Sequence, residues 1–360
     1  MDGNSGMKKI LIYNKSKIFI LAPANTSTGG PECLHELGYH LKNIFNKNCY
    51  MVYLPKDIKN PVHKNYLHFK LQFSNYIDDH SENILIIPEH YTFLKYSLKF
   101  KNIKKIIWWL SLDNYLGYKF REENSKLIRS IKKIPYNVIS KINHLINFRF
   151  GIYTYQDYLK TIYSFKKIEK EKEVKQASYH LMQSFYVFNY FKQFKNKYLL
   201  NDYQNIILSK NKKKDKKNII CYSHKSNDFI NLLKDKINAK FIILEGYKKN
   251  QLFNIFKKTK IYMDFGYHPG KDKMPREAVL FNNCIITNLK GSAKNNQDIP
   301  IKKKYKFTEC FENVNNINNA VNKIFKNYTK EFASFKYYKN KTLEEKKVFI
   351  NQIKKIFKKV

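Results

Sequence analysis

The amino-acid sequence predicts an α/β protein of two doubly wound domains facing a central cleft. Three observations carry this prediction. Short apolar runs recur along the chain, each ending in a polar loop and followed by residues at helical spacing, the alternation that builds a parallel sheet with helices on its faces. The series occurs twice, before and after the charged run Lys210–Lys217 (KNKKKDKK), which reads as a linker. A chain of 360 residues is long enough for two cores. The expected boundaries are an N-terminal domain over 1–205 with a helical insertion over 115–175, a C-terminal domain over 206–340, and a terminal helix over 341–360.

Ile18–Ala22 (IFILA) reads as the first buried strand. It enters the small-residue loop Pro23–Pro31, where Gly29 and Gly30 let a ligand approach the backbone closely. The following helix places Leu34, Leu37, Leu41 and Ile44 on one face. Met51–Leu54, Asn83–Ile87 and Ile106–Leu110 are the next strands. The last two end at Glu89-His90 and at Asp113-Asn114, and ligands of such sheets bind at strand carboxyl ends. The stretch Tyr115–Lys175 interleaves Tyr, Phe and Ile with lysine. It reads as helical, either a cap over the sheet or a surface that meets a membrane or lipid-linked substrate. Tyr179–Phe188 resumes strand character. After the linker come strands at Ile219–Tyr222, Phe241–Leu244, Ile261–Phe265 and Cys284–Thr287, a helix at Gln251–Lys257 and a terminal helix over Leu343–Phe357.

Hydrophobic residues at 43% and aromatics at 16% exclude general disorder. Lys and Arg number 68 against 29 Asp and Glu, a net charge of +39. AT-rich codons would give such a bias, but the field still favours anionic partners: phosphorylated small molecules, nucleic acid or an anionic membrane. The five cysteines form no CxxC pair and read as free thiols in a reducing cytoplasm. The polar opening MDGNSGMKK does not read as a signal peptide, and no apolar run approaches the roughly 20 residues that span a bilayer. There is no GxGxxG, P-loop, HExxH or DxD, and the histidines show no metal-ligand spacing.

The most informative segment is Ile261–Ala278, IYMDFGYHPGKDKMPREA. An apolar strand ends at Asp264, a Gly/Pro loop carries His268, Lys271 and Lys273, and Pro275-Arg276-Glu277-Ala278 reads as a helix start with Pro at its first position. Cations and a helix N-terminus that converge suit a phosphate or diphosphate. Only four of the 68 basic residues are arginines (Arg121, Arg129, Arg149 and Arg276), and arginine offers a planar fork for two oxygens that lysine lacks. Glu277 is placed to accept from ribose hydroxyls or to meet the helix dipole. For Lys271 and Lys273 the alternative is a pair of solvated loop lysines, and for His268 a turn residue packed on Pro269.

The order of these motifs resembles the GT-B glycosyltransferases, the class built from two Rossmann-like domains. TGGPECLHELGYHL at 28–41 is similar to the Gly-Gly loop and helix after their first strand, and Asp264–Ala278 to their donor loop and helix. Glu277 matches the glutamate that grips the donor ribose, and Lys225 resembles the lysine that pairs with the donor diphosphate. HPGKDKMPREA also resembles a subgroup of bacterial surface-polysaccharide transferases of the capsule and lipopolysaccharide type. Many GT-B enzymes carry an earlier glutamate where this chain has His268, Lys271, Asp272 and Lys273, so donor identity does not carry over.

The resemblance implies sugar transfer from a nucleotide sugar to a glycan or lipid-linked acceptor, with no cofactor. With no DxD pair for a metal, Lys225, Lys271, Lys273 and Arg276 would stabilise the leaving diphosphate. If the anomeric centre inverts, Asp113 or His90 would take the acceptor proton, with Glu89 a third candidate. The expected location is cytoplasmic, with peripheral contact to the anionic inner-membrane face. A basic nucleic-acid- or membrane-binding protein without catalysis is the alternative. No nucleic-acid module is recognisable and the lysines are spread along the chain, so nucleic acid is not expected. An epimerase reading lacks its own His/Glu/Asp set.

Overall fold

The computed structural model describes residues 8–123, 159–160, 163–206, 215–226 and 228–360. Most of the charged run 210–217 and the middle of the expected insertion 115–175 lie outside the described residues. The chain separates into two compact units. The first runs to Phe120, resumes over Leu159–Tyr203 and closes with Glu345–Val360; the second contains Gln204–Glu344.

In the first unit the chain forms β1 (Ile10–Ile12), β2 (Ile18–Pro23), α1 (Gly29–Phe45), β3 (Cys49–Leu54), β4 (Gln72–Phe73), β5 (Ile84–Pro88), α2 (Tyr91–Ser97), β6 (Lys104–Trp109) and α3 (Leu112–Glu123). It continues with α4 (Phe165–Ile168), α5 (Lys172–Lys175), β7 (Tyr179–Met182), α6 (Phe185–Tyr190) and β8 (Lys197–Leu199). Seven strands make a parallel sheet in the order β4-β3-β2-β5-β6-β7-β8. Its central strands are buried on both faces, hence the unbroken apolar runs of the sequence. Ile18, Ile20 and Ala22 of β2 point to a core shared with Leu34, Leu37 and Leu41 of α1, while Phe19 and Leu21 point to the opposite core with Trp109 and Leu116. Helix α1 ends where Asn46 adopts the left-handed conformation (φ 48°) and its N–H turns back to Lys42 O.

The second unit contains β9 (Lys217–Ser223), α7 (Phe229–Lys236), β10 (Lys240–Leu244), α8 (Lys249–Lys258), β11 (Thr259–Asp264), α9 (Lys273–Leu280), β12 (Cys284–Asn288), β13 (Lys306–Phe307), α10 (Glu312–Lys326), α11 (Tyr328–Phe332) and α12 (Lys336–Leu343). Its five strands are parallel, in the order β10-β9-β11-β12-β13. The chain then returns to the first unit as α13 (Glu345–Ile356) and β14 (Phe357–Lys359). Phe349, Ile353 and Ile356 of α13 join the α1 core, and β14 pairs with β1.

Two expectations need correction. Tyr179–Phe188 is strand only as far as Met182, because Ser184 caps α6, its hydroxyl accepting from Val187 N at 3.2 Å. Helix α9 starts at Lys273, so Pro275 stands third rather than first. It is tolerated there because the early N–H groups of a helix lack intrahelical acceptors.

In each sheet the strand order reverses once. The first sheet switches between β2 and β5, the second between β9 and β11. Ligands of doubly wound sheets bind outside the carboxyl ends at such switch points. The loops in question follow β2 and β5 in one unit, and β9 and β11 in the other.

Candidate active site

At the switch point of the second sheet, β9 turns at Ser223–Ser226, with Ser226 N on Ser223 O at 3.0 Å and the Ser223 hydroxyl accepting from Lys225 N at 3.2 Å. Lys225 stands on this turn. The loop after β11 packs directly on it. Phe265 N donates to Ser226 Oγ at 3.1 Å, and a Cβ on Gly266 would come within 2.8 Å of Lys225 O. Glycine is required here because two backbones touch. The loop after β12 closes the other side: Asn288 Nδ2 donates to Gly266 O and to Glu309 Oε1, both at 2.7 Å, and Ser292 N donates to His268 O at 2.8 Å. A Cβ on Gly291 (φ 49°) would lie 2.0 Å from His268 O, so this approach too needs glycine.

The loop carries its own charge lattice. His268 is fully buried, with Nε2 3.8 Å from Asp264 Oδ1 and Nδ1 2.9 Å from Asp272 Oδ2, the second pair poorly aligned for a hydrogen bond. Burial opposes charge on the imidazole, but the Asp264 and Asp272 carboxylates outweigh it and hold the imidazole above its ordinary range. Burial raises Asp264 as well, against the pull of His268. Asp264 Oδ2 accepts from Tyr262 OH at 2.5 Å and Oδ1 from Gly266 N at 3.1 Å. Asp272 is the N-cap of α9, yet makes no side-chain cap bond. Its carboxylate faces His268 instead.

Arg276 is buried with no exposed surface, and donates from Nε to Asp272 O at 3.0 Å and from Nη2 to Lys271 O at 2.7 Å. The guanidinium thus ties α9 to the loop that precedes it. Lys271 and Glu277 are buried, while Lys273 is half-buried. Lys225, His268, Lys271, Lys273, Arg276 and Glu277 therefore meet in one loop-and-helix assembly, and Lys225, on the outer turn, is the most accessible of them. His268, for which the sequence left open a ligand contact or a turn position beside Pro269, lies between two carboxylates. Sequence reasoning overlooked Gly266, Asn288 and Glu309. Gly266 had a signal in its place just past a strand end; nothing in the sequence marks Glu309, which arrives from beyond β13.

At the switch point of the first sheet, Gly29 and Gly30 form the first turn of α1 rather than the loop before it. Thr28, the N-cap, is extended (φ −137°) and makes no side-chain cap bond. A Cβ on Gly30 would touch Leu110 Cδ1 at 3.7 Å, and Leu110 N donates to Glu89 Oε2 at 3.0 Å. Glu89 is buried, and burial raises its carboxyl from an ordinary 4.5 to about 7, against the N–H groups of Leu110 and Ser111. The other two groups have structural duties. His90 caps α2, its ring accepting from Thr92 N at 3.3 Å and lying 4.2 Å from the Tyr118 ring. Asp113 opens α3, accepts from Tyr186 OH at 2.7 Å and lies 3.7 Å from Lys160 Nζ. Among the described residues no group of three or more His, Cys, Asp and Glu could hold a metal, and no helix is long and apolar enough to cross a membrane.

No family model and no curated protein matches the sequence. Solved structures do match the fold. Sucrose-phosphate synthase from Thermosynechococcus elongatus aligns with a TM-score of 0.52 and 10% identity, over 95% of this chain and 95% of that one. A lipopolysaccharide outer core galactosyltransferase in its apo form aligns with a TM-score of 0.50 and 9% identity, over 94% of this chain and 98% of its own. The chain has the GT-B fold, with one Rossmann-like sheet in each unit.

Proposed function

We propose that this protein is a glycosyltransferase that takes a sugar from a nucleotide sugar and passes it to a glycan or lipid-linked acceptor in surface-polysaccharide synthesis. The observation that carries the reading is the switch point of the second sheet, where the Lys225 turn abuts the Gly266 backbone and leads to the uncapped N-terminus of α9. A nucleoside diphosphate that departs from a sugar gains negative charge. Fixed ammonium groups and a helix N-terminus aimed at it stabilise that charge without a metal ion. In this reading Lys225, Lys271 and Lys273 supply the charge, Arg276 and His268 hold the loop that presents it, and Glu277 takes the ribose. The likeness to a galactosyltransferase of the lipopolysaccharide outer core supports the acceptor class. In the first unit the α1 N-terminus at Gly29 and Gly30 faces the acceptor. Glu89, raised to about 7, has the protonation chemistry to exchange a proton near neutrality.

The test is turnover of UDP-, GDP-, ADP-, dTDP- and CMP-sugars in EDTA. The account expects one nucleotide class to be consumed and Lys225→Ala to slow that turnover by about 10²–10³. Consumption of none removes the transferase reading; consumption only after a divalent ion is restored removes the metal-free part.

A further inference from the structure

The amino-end face of the first sheet carries a second cationic feature, remote from the switch point. A cavity of about 480 Å³ opens where β5, β6 and β7 begin, and Lys101, Lys104, Lys105, Lys172, Gln176 and Ser178 line it. Strand β6 (Lys104–Trp109) rises roughly 3.3 Å per residue, so its carboxyl end is about 17 Å from its start. The volume falls in the range of small-molecule sites.

The charges here are unbalanced. None of the four lysines has a carboxylate within ion-pair distance among the described residues, whereas Lys17, Lys290 and Lys304 each do. Lys105 is 5% exposed, and its ammonium meets only neutral oxygens, Phe100 O at 2.6 Å and Gln176 Oε1. Gln176 is itself held by Ser97 Oγ at 2.8 Å and Glu173 O at 3.1 Å, so the Lys105 head is fixed. The acids that act on these lysines make no ion pair with them among the described residues. The Asp79 carboxylate accepts the backbone N–H groups of Lys101, Asn102 and Ile103 at 2.8–3.0 Å, which folds the 101–103 loop around it. Glu171 pairs with Lys119 at 2.9 Å. Burial lowers both Lys104 and Lys105 below the ordinary lysine range, with Glu82 and Asp79 only partly restoring them. Four like charges around one concavity, one of them buried, are at their most stable with an anion among them.

We propose that this cavity binds a small soluble phosphoryl anion with two or more negative charges, at a site separate from the one that takes the nucleotide sugar. Lys101 and Lys172 supply exposed ammonium donors, Lys104 one that rests over the Tyr13 ring at 5.6 Å, Lys105 a buried charge, and Ser178 a hydroxyl. The ligand is one that reaches the protein as a free metabolite or product, and its phosphoryl group is the part recognised.

The probe is inorganic pyrophosphate at constant ionic strength, read by hydrogen exchange on the full chain. The expected result is protection over residues 98–105 and 172–178 in the native protein and equally in Lys225→Ala. In Lys104→Gln/Lys172→Gln that protection requires about tenfold more pyrophosphate or vanishes, since removing a charged hydrogen-bond donor weakens binding on that order, while far-UV dichroism stays native. Protection confined to the loop after β11, or none over 98–105, overturns the site without any variant being made. Vesicles of phosphatidylglycerol with phosphatidylcholine distinguish a lipid source. If the double variant no longer pellets with them, and pyrophosphate has no effect, the soluble ligand is overturned in favour of a headgroup.

Discussion

Glu89 is a carboxyl group whose burial works against its charge at neutral pH, and the sign of its effect on stability follows. Its folded value, about 7, exceeds the unfolded 4.5, so its contribution is fully present below 4.5 and lost as pH rises through about 7. At roughly 1.4 kcal/mol per pH unit the loss is about 3 kcal/mol. Both tryptophans, Trp108 and Trp109, belong to β6 of the same unit, so their fluorescence in urea reports this unit. Between pH 4.5 and 8 Glu89→Gln should lose about 3 kcal/mol less stability than the native protein; equal losses would show that Glu89 is solvated. His90 and Asp113, the residues that sequence position favours, lie at the same strand ends but are held as a helix cap and a helix anchor. Position along the chain identifies strand ends, whereas burial decides which carboxyl group there is basic.

The loop between β11 and α9 is an element whose shape depends on charge. His268, raised above 6.5 by Asp264 and Asp272 against its burial, contributes stability that is complete below 6.5 and is lost as pH rises through its raised folded value. Hydrogen exchange over residues 264–276, corrected for intrinsic rate, should therefore show protection falling from pH 6 to pH 9, and His268→Gln should abolish that dependence. An unchanged pH profile in the variant would mean that the imidazole stays neutral. Much of this element is legible in the residues alone. The apolar run to Asp264, the Gly/Pro loop and the Pro-Arg-Glu-Ala that follows signal a strand–loop–helix, and that is what forms. The direction of the side chains is not legible. That Arg276 turns back to the carbonyls of Lys271 and Asp272, and that His268 lies between residues four before and four after it, depends on the chain's path through the loop. The short strands β1, β4, β8, β13 and β14 also escape a sequence reading, since two or three residues give no period to read.

For the whole molecule, the long apolar strands, the helical spacing of Leu34, Leu37 and Leu41, and the duplicated series are enough to predict two parallel sheets, and both are present. The return of α13 and β14 to the first unit is not foreseeable, because an amphipathic helix does not state which core its apolar stripe will join. The net charge of +39 is spread over the chain. Both proposed sites draw on it where the fold gathers lysines, at the carboxyl end of the second sheet and at the amino end of the first. In the proposed function, the β9–β11 switch point holds a nucleoside diphosphate through Lys225 and the loop that Arg276 secures. Thermal shift in EDTA with UDP, GDP, ADP, CDP and dTDP is the decisive measurement. One of these nucleotides should stabilise the native protein, and Lys225→Ala should remove most of that gain; stabilisation by none, or equal stabilisation of both proteins, would rule the site out.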